Sequence, residues 1–152
     1  MSSTGERPSR QPSRPHARHP ALVAWLRLAR LNGKLLRASA RRLEPAGLSL
    51  MEFDILAHVG AAPDLTQQRL SERLFVTEGN VTYQLAKLER RGLVARHTAG
   101  RCKRLRLTDR GRALYDDLVP WQEAWHTEQF GTLTDAEQRQ LLGLLRKLEH
   151  AL

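Results

Sequence analysis

The stretch Thr77 to Leu93 reads TEGNVTYQLAKLERRGL. Its second half has the pattern of an ordinary amphipathic helix. Its first half does not, because Gly79, Asn80, Thr82, Tyr83 and Gln84 are poor or middling helix formers crowded into two turns. On a helical projection Val81, Leu85 and Leu88 share one face. The opposite arc holds Gly79, Tyr83, Ala86 and Arg90, flanked by Asn80 and Lys87 on one side and Thr82 on the other. A helix enters the DNA major groove only if its leading turns are slim and can hydrogen-bond to base edges or phosphates. Gly79 lets a backbone come close, Asn80 can pair with adenine, and Tyr83 can touch a thymine methyl or a phosphate. Lys87 and Arg90 can follow the DNA backbone, and the helix N-terminus favours phosphate. The same residues could also be the plain polar surface of a helical bundle, and the helix alone does not separate the two readings.

Its neighbours do. Upstream, Thr66 caps a short helix to Leu74, Phe75 and Val76 turn the chain, and Thr77 caps the next helix, which Gly92 ends. Downstream, LVARHTAGRCKRLRL carries two short runs, Leu93 to His97 and Lys103 to Leu107, and predicts a hairpin with a long tip around Ala99-Gly100. Helix, turn, helix and basic hairpin are the order of a winged helix-turn-helix. Charge follows the same map. Arg90 to Arg112 hold nine basic residues against the single acid Asp109, a net +8, whereas Ala113 to Leu152 hold three against seven, a net −4. Such a basic block points to a phosphate polymer or an anionic membrane. The candidate DNA-contacting residues are therefore Thr66, Thr77, Gly79, Asn80, Thr82, Tyr83, Lys87, Arg90, Arg101, Lys103 and Arg104, with double-stranded DNA as partner.

The rest of the chain frames this lobe. Residues 1–20 are rich in Pro, Ser and Arg and are expected to be a disordered basic tail. Leu22 to Leu43 forms a helix apolar on two faces, with the basic stripe Arg27, Arg30, Lys34, Arg37, Arg41 between them. A helix so broadly apolar must touch more than one surface. Glu44-Pro45-Ala46-Gly47 ends it. Ser49 to Glu52 is a capping box opening a helix through Val59, which Gly60 to Pro63 breaks. Thr108 starts a long helix with Leu114, Leu118, Trp121 and Trp125 on one face, kinked at Pro120 and ended by Gly131. A second capping box, Thr134 to Glu137, opens a leucine-rich last helix. The fold class is mainly α with a small antiparallel β wing. Residues 21–152 form one domain, with the DNA-binding lobe at about 48–112.

Other classes find little support. The 152 residues suit one domain. The one cysteine, Cys102, excludes an intrachain disulfide and fits a reducing compartment. No apolar run approaches the roughly 20 residues of a membrane span, and the N-terminus carries no secretory signal. The expected location is cytoplasmic, with no membrane partner. The six histidines form no ligand pair, and no phosphate loop or catalytic triad is readable. No enzyme, cofactor or metal is expected.

Four segments together resemble the MarR family of bacterial transcriptional regulators: LSLMEFDIL (Leu48 to Leu56), Leu65-Thr66 through Leu74, TEGNVTYQLAKLERRGLV, and RLRLTDRGRAL. The similarity covers about residues 22–152 in the family's element order. Each motif is loose; their spacing together is specific. The resemblance implies a homodimer whose dimerisation region is built from the first and last helices. It implies binding to a pseudo-palindromic operator, usually as a repressor, and release by a small aromatic anion or by oxidation. The wing departs from the family pattern, which commonly places an acid followed by two arginines near the tip. Here His97 to Arg104 reads HTAGRCKR and has no acid, so the Asp–Arg pair that braces the family's wing is missing, and either Arg101 or Arg104 is left to reach the minor groove.

Two further features stand beside this reading. Cys102 lies between Arg101 and Lys103, where positive charge favours the thiolate, and is a candidate redox switch, although an incidental exposed cysteine fits as well. Trp25 and Trp121, with Trp125, are candidates for an effector cleft for a small aromatic or anionic molecule, or else core and interface residues. The competing functions are a nonspecific architectural DNA-binding protein and a winged helix that binds protein. Base-edge donors such as Asn80 speak against the first, and the +8 block against the second.

Overall fold

A computed structural model of the chain describes residues 19–62, 64–100 and 102–152, with the backbone alone at Cys102. The expected basic tail lies, but for His19 and Pro20, outside the described residues. In chain order the elements are α1 (Pro20–Leu43), a 3-10 turn (Glu44–Ala46), α2 (Leu50–Ala61), β1 (Leu65–Thr66), α3 (Gln67–Leu74), α4 (Glu78–Arg90), β2 (Val94–Ala99), β3 (Cys102–Leu107), α5 (Asp109–Gln129) and α6 (Asp135–Glu149). Contacts divide the chain into two units, residues up to Ala38 and Ser39 to Leu152.

In the second unit, Ile55, Leu56 and Val59 of α2 meet Leu70 of α3, Val81, Leu85 and Leu88 of α4, and Val94 and Leu105 of the sheet. All are under 5% exposed. The three apolar residues spaced along α4 are the core face that the sequence marks. In the first unit, α1 carries Leu22, Val23, Trp25, Leu26, Leu28, Leu31 and Leu36 exposed.

The caps fall where side-chain chemistry places them. Ser49 and Glu52 form a reciprocal box at α2, and Thr134 and Glu137 do so at α6. Thr66, Thr77 and Thr108 accept from the third backbone N–H of α3, α4 and α5.

Four expectations are corrected. The break of α2 falls within Gly60 to Pro63, but after Ala61, so the helix runs past Val59 and through Gly60. A Cβ at Gly60 would meet the Tyr115 ring, so the glycine makes room for α5 rather than ending a helix. The wing has no long tip. β2 and β3 pair from Val94↔Leu107 to Ala99↔Cys102, leaving two residues between the last partners, and Gly100 at φ +63° supplies the left-handed turn. A third strand appears, since Leu65 and Thr66 pair with Leu105 and Arg104 to give the order β1-β3-β2. Two residues are too few to show alternation. Finally, α5 stops at Gln129 with Phe130 in right-handed geometry, so a left-handed Gly131 is not its cap. Pro120 lies inside α5, which continues through it.

One close approach fixes α5 to the lobe. A Cβ at Gly111 would collide with the carbonyl oxygen of Leu93. The Thr108 backbone N–H donates to that carbonyl at 3.1 Å, and the Thr108 hydroxyl donates to the Gly92 carbonyl at 2.6 Å.

Candidate nucleic-acid interface

The helix α4 buries Val81, Leu85 and Leu88 completely and turns Gly79, Asn80, Thr82 and Tyr83 to solvent. The Thr77 hydroxyl accepts from the Asn80 backbone N–H at 3.3 Å and so caps α4. A Cβ built on Gly79 meets nothing within 4 Å. No crowding among the described residues therefore requires glycine there. Thr82 is shared with the protein: its hydroxyl donates to the Glu78 carbonyl at 2.8 Å and accepts from Gln67 Nε2 at 2.6 Å, which ties α4 to α3. Thr66 is the cap of α3, and Arg90 stands exposed at the end of α4.

Lys87 has an inward partner. Its Nζ lies 3.1 Å from the carboxylate of Glu52, and Arg91 lies 3.6 Å from the same oxygen. Glu52 is only 3% exposed. Burial pushes its pKa up, but the Ser49 backbone N–H, the Lys87 ammonium and the Ser49 hydroxyl outweigh burial and hold the carboxyl below its ordinary range. One oxygen caps α2 by accepting from Ser49 N–H at 2.9 Å; the other anchors α4. Sequence reading saw Glu52 only as a cap, because Lys87 and Arg91 meet it through tertiary packing. The Lys87 ammonium also stands 5.9 Å from the Tyr83 ring centre.

The wing is braced after all, from outside its own tip. The Arg104 guanidinium donates to the Asp64 backbone carbonyl at 2.9 Å, and His97 Nε2 stands 3.3 Å from the Asp64 carboxylate. Arg104 and His97 are cross-strand partners, so one acid grips both strands. Asp64 adopts φ +66°, a left-handed conformation that aspartate tolerates better than most residues. Its role has no local sequence signature. Arg96 adds a second tie, 3.3 Å from Glu89 of α4. Lys103 projects into solvent, whereas Arg104 is half-buried. Arg101 and the Cys102 side chain lie outside the described residues; the Cys102 backbone forms the last rung of the hairpin.

Of the effector candidates, Trp25 sits in the first unit at 62% exposure and Trp121 in the second at 42%. The Arg42 guanidinium stacks 3.7 Å over the Trp121 ring and 5.1 Å from that of Trp125. Arg42, Leu114, Asp117, Leu118 and Trp121 line an open cleft of about 490 Å³. The neighbouring Gln122, 2% exposed, donates to the Ser39 hydroxyl at 2.8 Å and accepts from Arg42 at 3.4 Å. Among the described residues, no three of His, Cys, Asp and Glu converge as metal ligands.

The MarR family model matches residues 46–105, the segment holding the helix-turn-helix and most of the wing. An HTH-type transcriptional regulator of Bacillus cereus is 31% identical over 127 residues, covering 83% of this chain and 86% of the relative. The chain belongs to the MarR family. Members of this family are DNA-binding transcriptional regulators, not enzymes. Among solved structures, a MarR family protein of Mycobacterium tuberculosis in complex with salicylic acid is 33% identical, with a TM-score of 0.63 over 80% of this chain and 92% of that one. Streptococcus pneumoniae FabT in complex with DNA is 25% identical, with a TM-score of 0.74 over 87% and 99%. No helix among the described residues is long and apolar enough to cross a membrane.

Proposed function

We propose that this MarR protein is a homodimeric, sequence-specific repressor that reads a pseudo-palindromic operator and is released by a small aromatic anion. The open space around Gly79 carries the reading. With exposed Asn80 beside it, it gives α4 an edge that a base pair can approach and hydrogen-bond. FabT, solved with DNA, supports the partner. The exposed leucines of α1, and separately Leu142, Leu144 and Leu148 of α6, support a second subunit as their cover. A cationic guanidinium stacked on an indole, beside Leu114 and Leu118, supports an aromatic carboxylate although Asp117 shares the cleft, and the relative solved with salicylic acid supports that class. Release by oxidation at Cys102 is the other route, and Cys102→Ser with peroxide separates the two.

The test is binding to a duplex selected from a random library, compared with a scrambled duplex. Asn80→Ala is expected to lose about 1–3 kcal/mol on the selected duplex and little on the scrambled one. Equal losses on both would favour an architectural role. Salicylate is expected to release the selected duplex from the wild type and less readily from Arg42→Ala.

A further inference from the structure

Within the segment Ser39 to Pro120, two large apolar or aromatic side chains stand exposed among the described residues, Phe75 and Tyr83. Both belong to the helix-turn-helix. Tyr83 lies on the exposed arc of α4. Phe75 is the residue that ends α3, and it is 95% exposed, so its ring touches almost nothing in its own chain. It also holds φ +54°, a left-handed conformation that a bulky side chain adopts at a cost and that glycine adopts freely. Its backbone N–H closes the end of α3 by donating to the Glu72 and Ser71 carbonyls, a task that any residue in that conformation performs. Nothing among the described residues therefore rewards a phenyl ring at this position.

Position says what does. Phe75 precedes the α4 cap Thr77 by two residues, so their Cα atoms are at most about 7 Å apart. Leu74 and Val76 on either side are half-buried, while Phe75 and Thr77 both face solvent. The major groove is about 12 Å wide. A residue this close to the leading end of a helix that enters the groove is within reach of its wall, where deoxyribose carbons and thymine methyls are the apolar surface. A protein-docking site would need a contiguous apolar patch. Phe75 instead stands alone, between half-buried neighbours and the polar start of α4.

We propose that Phe75 is a DNA-contacting residue whose ring packs on deoxyribose or a thymine methyl at the edge of the groove that α4 enters. The inference rests on the proposed reading of α4. The contact is apolar, so it adds affinity without releasing counterions.

The experiment compares wild type, Phe75→Gly and Phe75→Asn by fluorescence anisotropy on the wild-type-selected duplex, across a salt series, alongside thermal melts. Both substituents tolerate the left-handed backbone. Glycine is expected to keep or raise the melting temperature while weakening the duplex on the order of tenfold, as losing a buried apolar side chain does. The salt slope should not change. Replacing thymines by deoxyuridine divides the two sources: a methyl contact makes the replacement weaken wild type more than Phe75→Gly, and a sugar contact makes it change both proteins equally, whatever Tyr83 contributes. Folded variants that bind as tightly as wild type overturn the proposal. If selection enriches no sequence, the repressor reading fails instead, and the same proteins are compared on random duplex, where equal affinity overturns the Phe75 contact.

Discussion

Gly79 sets stability against function. In the first turns of α4 it weakens the helix, and the space around it would accept a methyl group. Gly79→Ala is expected to stabilise the fold by about 0.5–1 kcal/mol, read by urea denaturation. The same change should weaken operator binding at least severalfold, because the added methyl occupies the approach to the base edges. A rise in both stability and affinity would show that glycine serves no external contact. Asp54 offers a second residue-scale test. Burial raises its carboxyl pKa, with His58 and His126 acting in the opposite direction. A carboxyl raised in the fold favours folding below its unfolded value, and that contribution is lost as pH rises through the folded one. Asp54→Asn is therefore expected to raise the melting temperature at pH 7, with the gain disappearing in acid.

Glu52 acts at the scale of elements, because its two oxygens join the start of α2 to α4. Its lowered pKa gives the opposite sign: the contribution is present above the unfolded carboxylate value and lost as pH falls through the folded one. Glu52→Gln is expected to lose about 1–2 kcal/mol at pH 7, and the difference from wild type should close at acid pH. The wing divides in the same way between bracing and contact. Arg104→Ala removes the grip on Asp64 and should raise hydrogen exchange across β2 and β3. Lys103→Ala touches no described partner, and should leave exchange unchanged while lowering the salt slope of DNA binding by about one. Identical effects of the two substitutions would contradict this division.

For the whole molecule the decisive quantity is the apolar surface left uncovered. Leucines stand exposed along α1 and along α6. Light scattering is expected to report twice the 17.3 kDa chain mass at micromolar concentration. A footprint should show half-sites about 10 base pairs apart, centre to centre, because two-fold related helices enter successive major grooves on one side of the duplex. A stable monomer, or protection without approximate two-fold symmetry, would remove the dimeric reading.

What the sequence by itself determined is local. Val81, Leu85 and Leu88 recur at helical spacing; Ser49, Thr77 and Thr108 announce helix starts; and the nine basic residues from Arg90 to Arg112 mark one lobe. These signals act over one to four turns, where backbone geometry dictates which side chains meet. Tertiary structure alone decided the rest. Gly60 looked like a stop until Tyr115, 55 residues later, proved to occupy the space beside it. The wing seemed to lack its acid until Asp64, 40 residues before Arg104, supplied both a carbonyl and a carboxylate. Lys87 stands on the outer flank of α4 in the sequence pattern, and only the packing of α2 brings Glu52 to its ammonium. In each case the partner is distant in the chain, and its distance in space is set by how the apolar faces of α2, α4, α5 and the sheet pack. No local spacing rule encodes that distance, because close packing of the core is a property of all its members together.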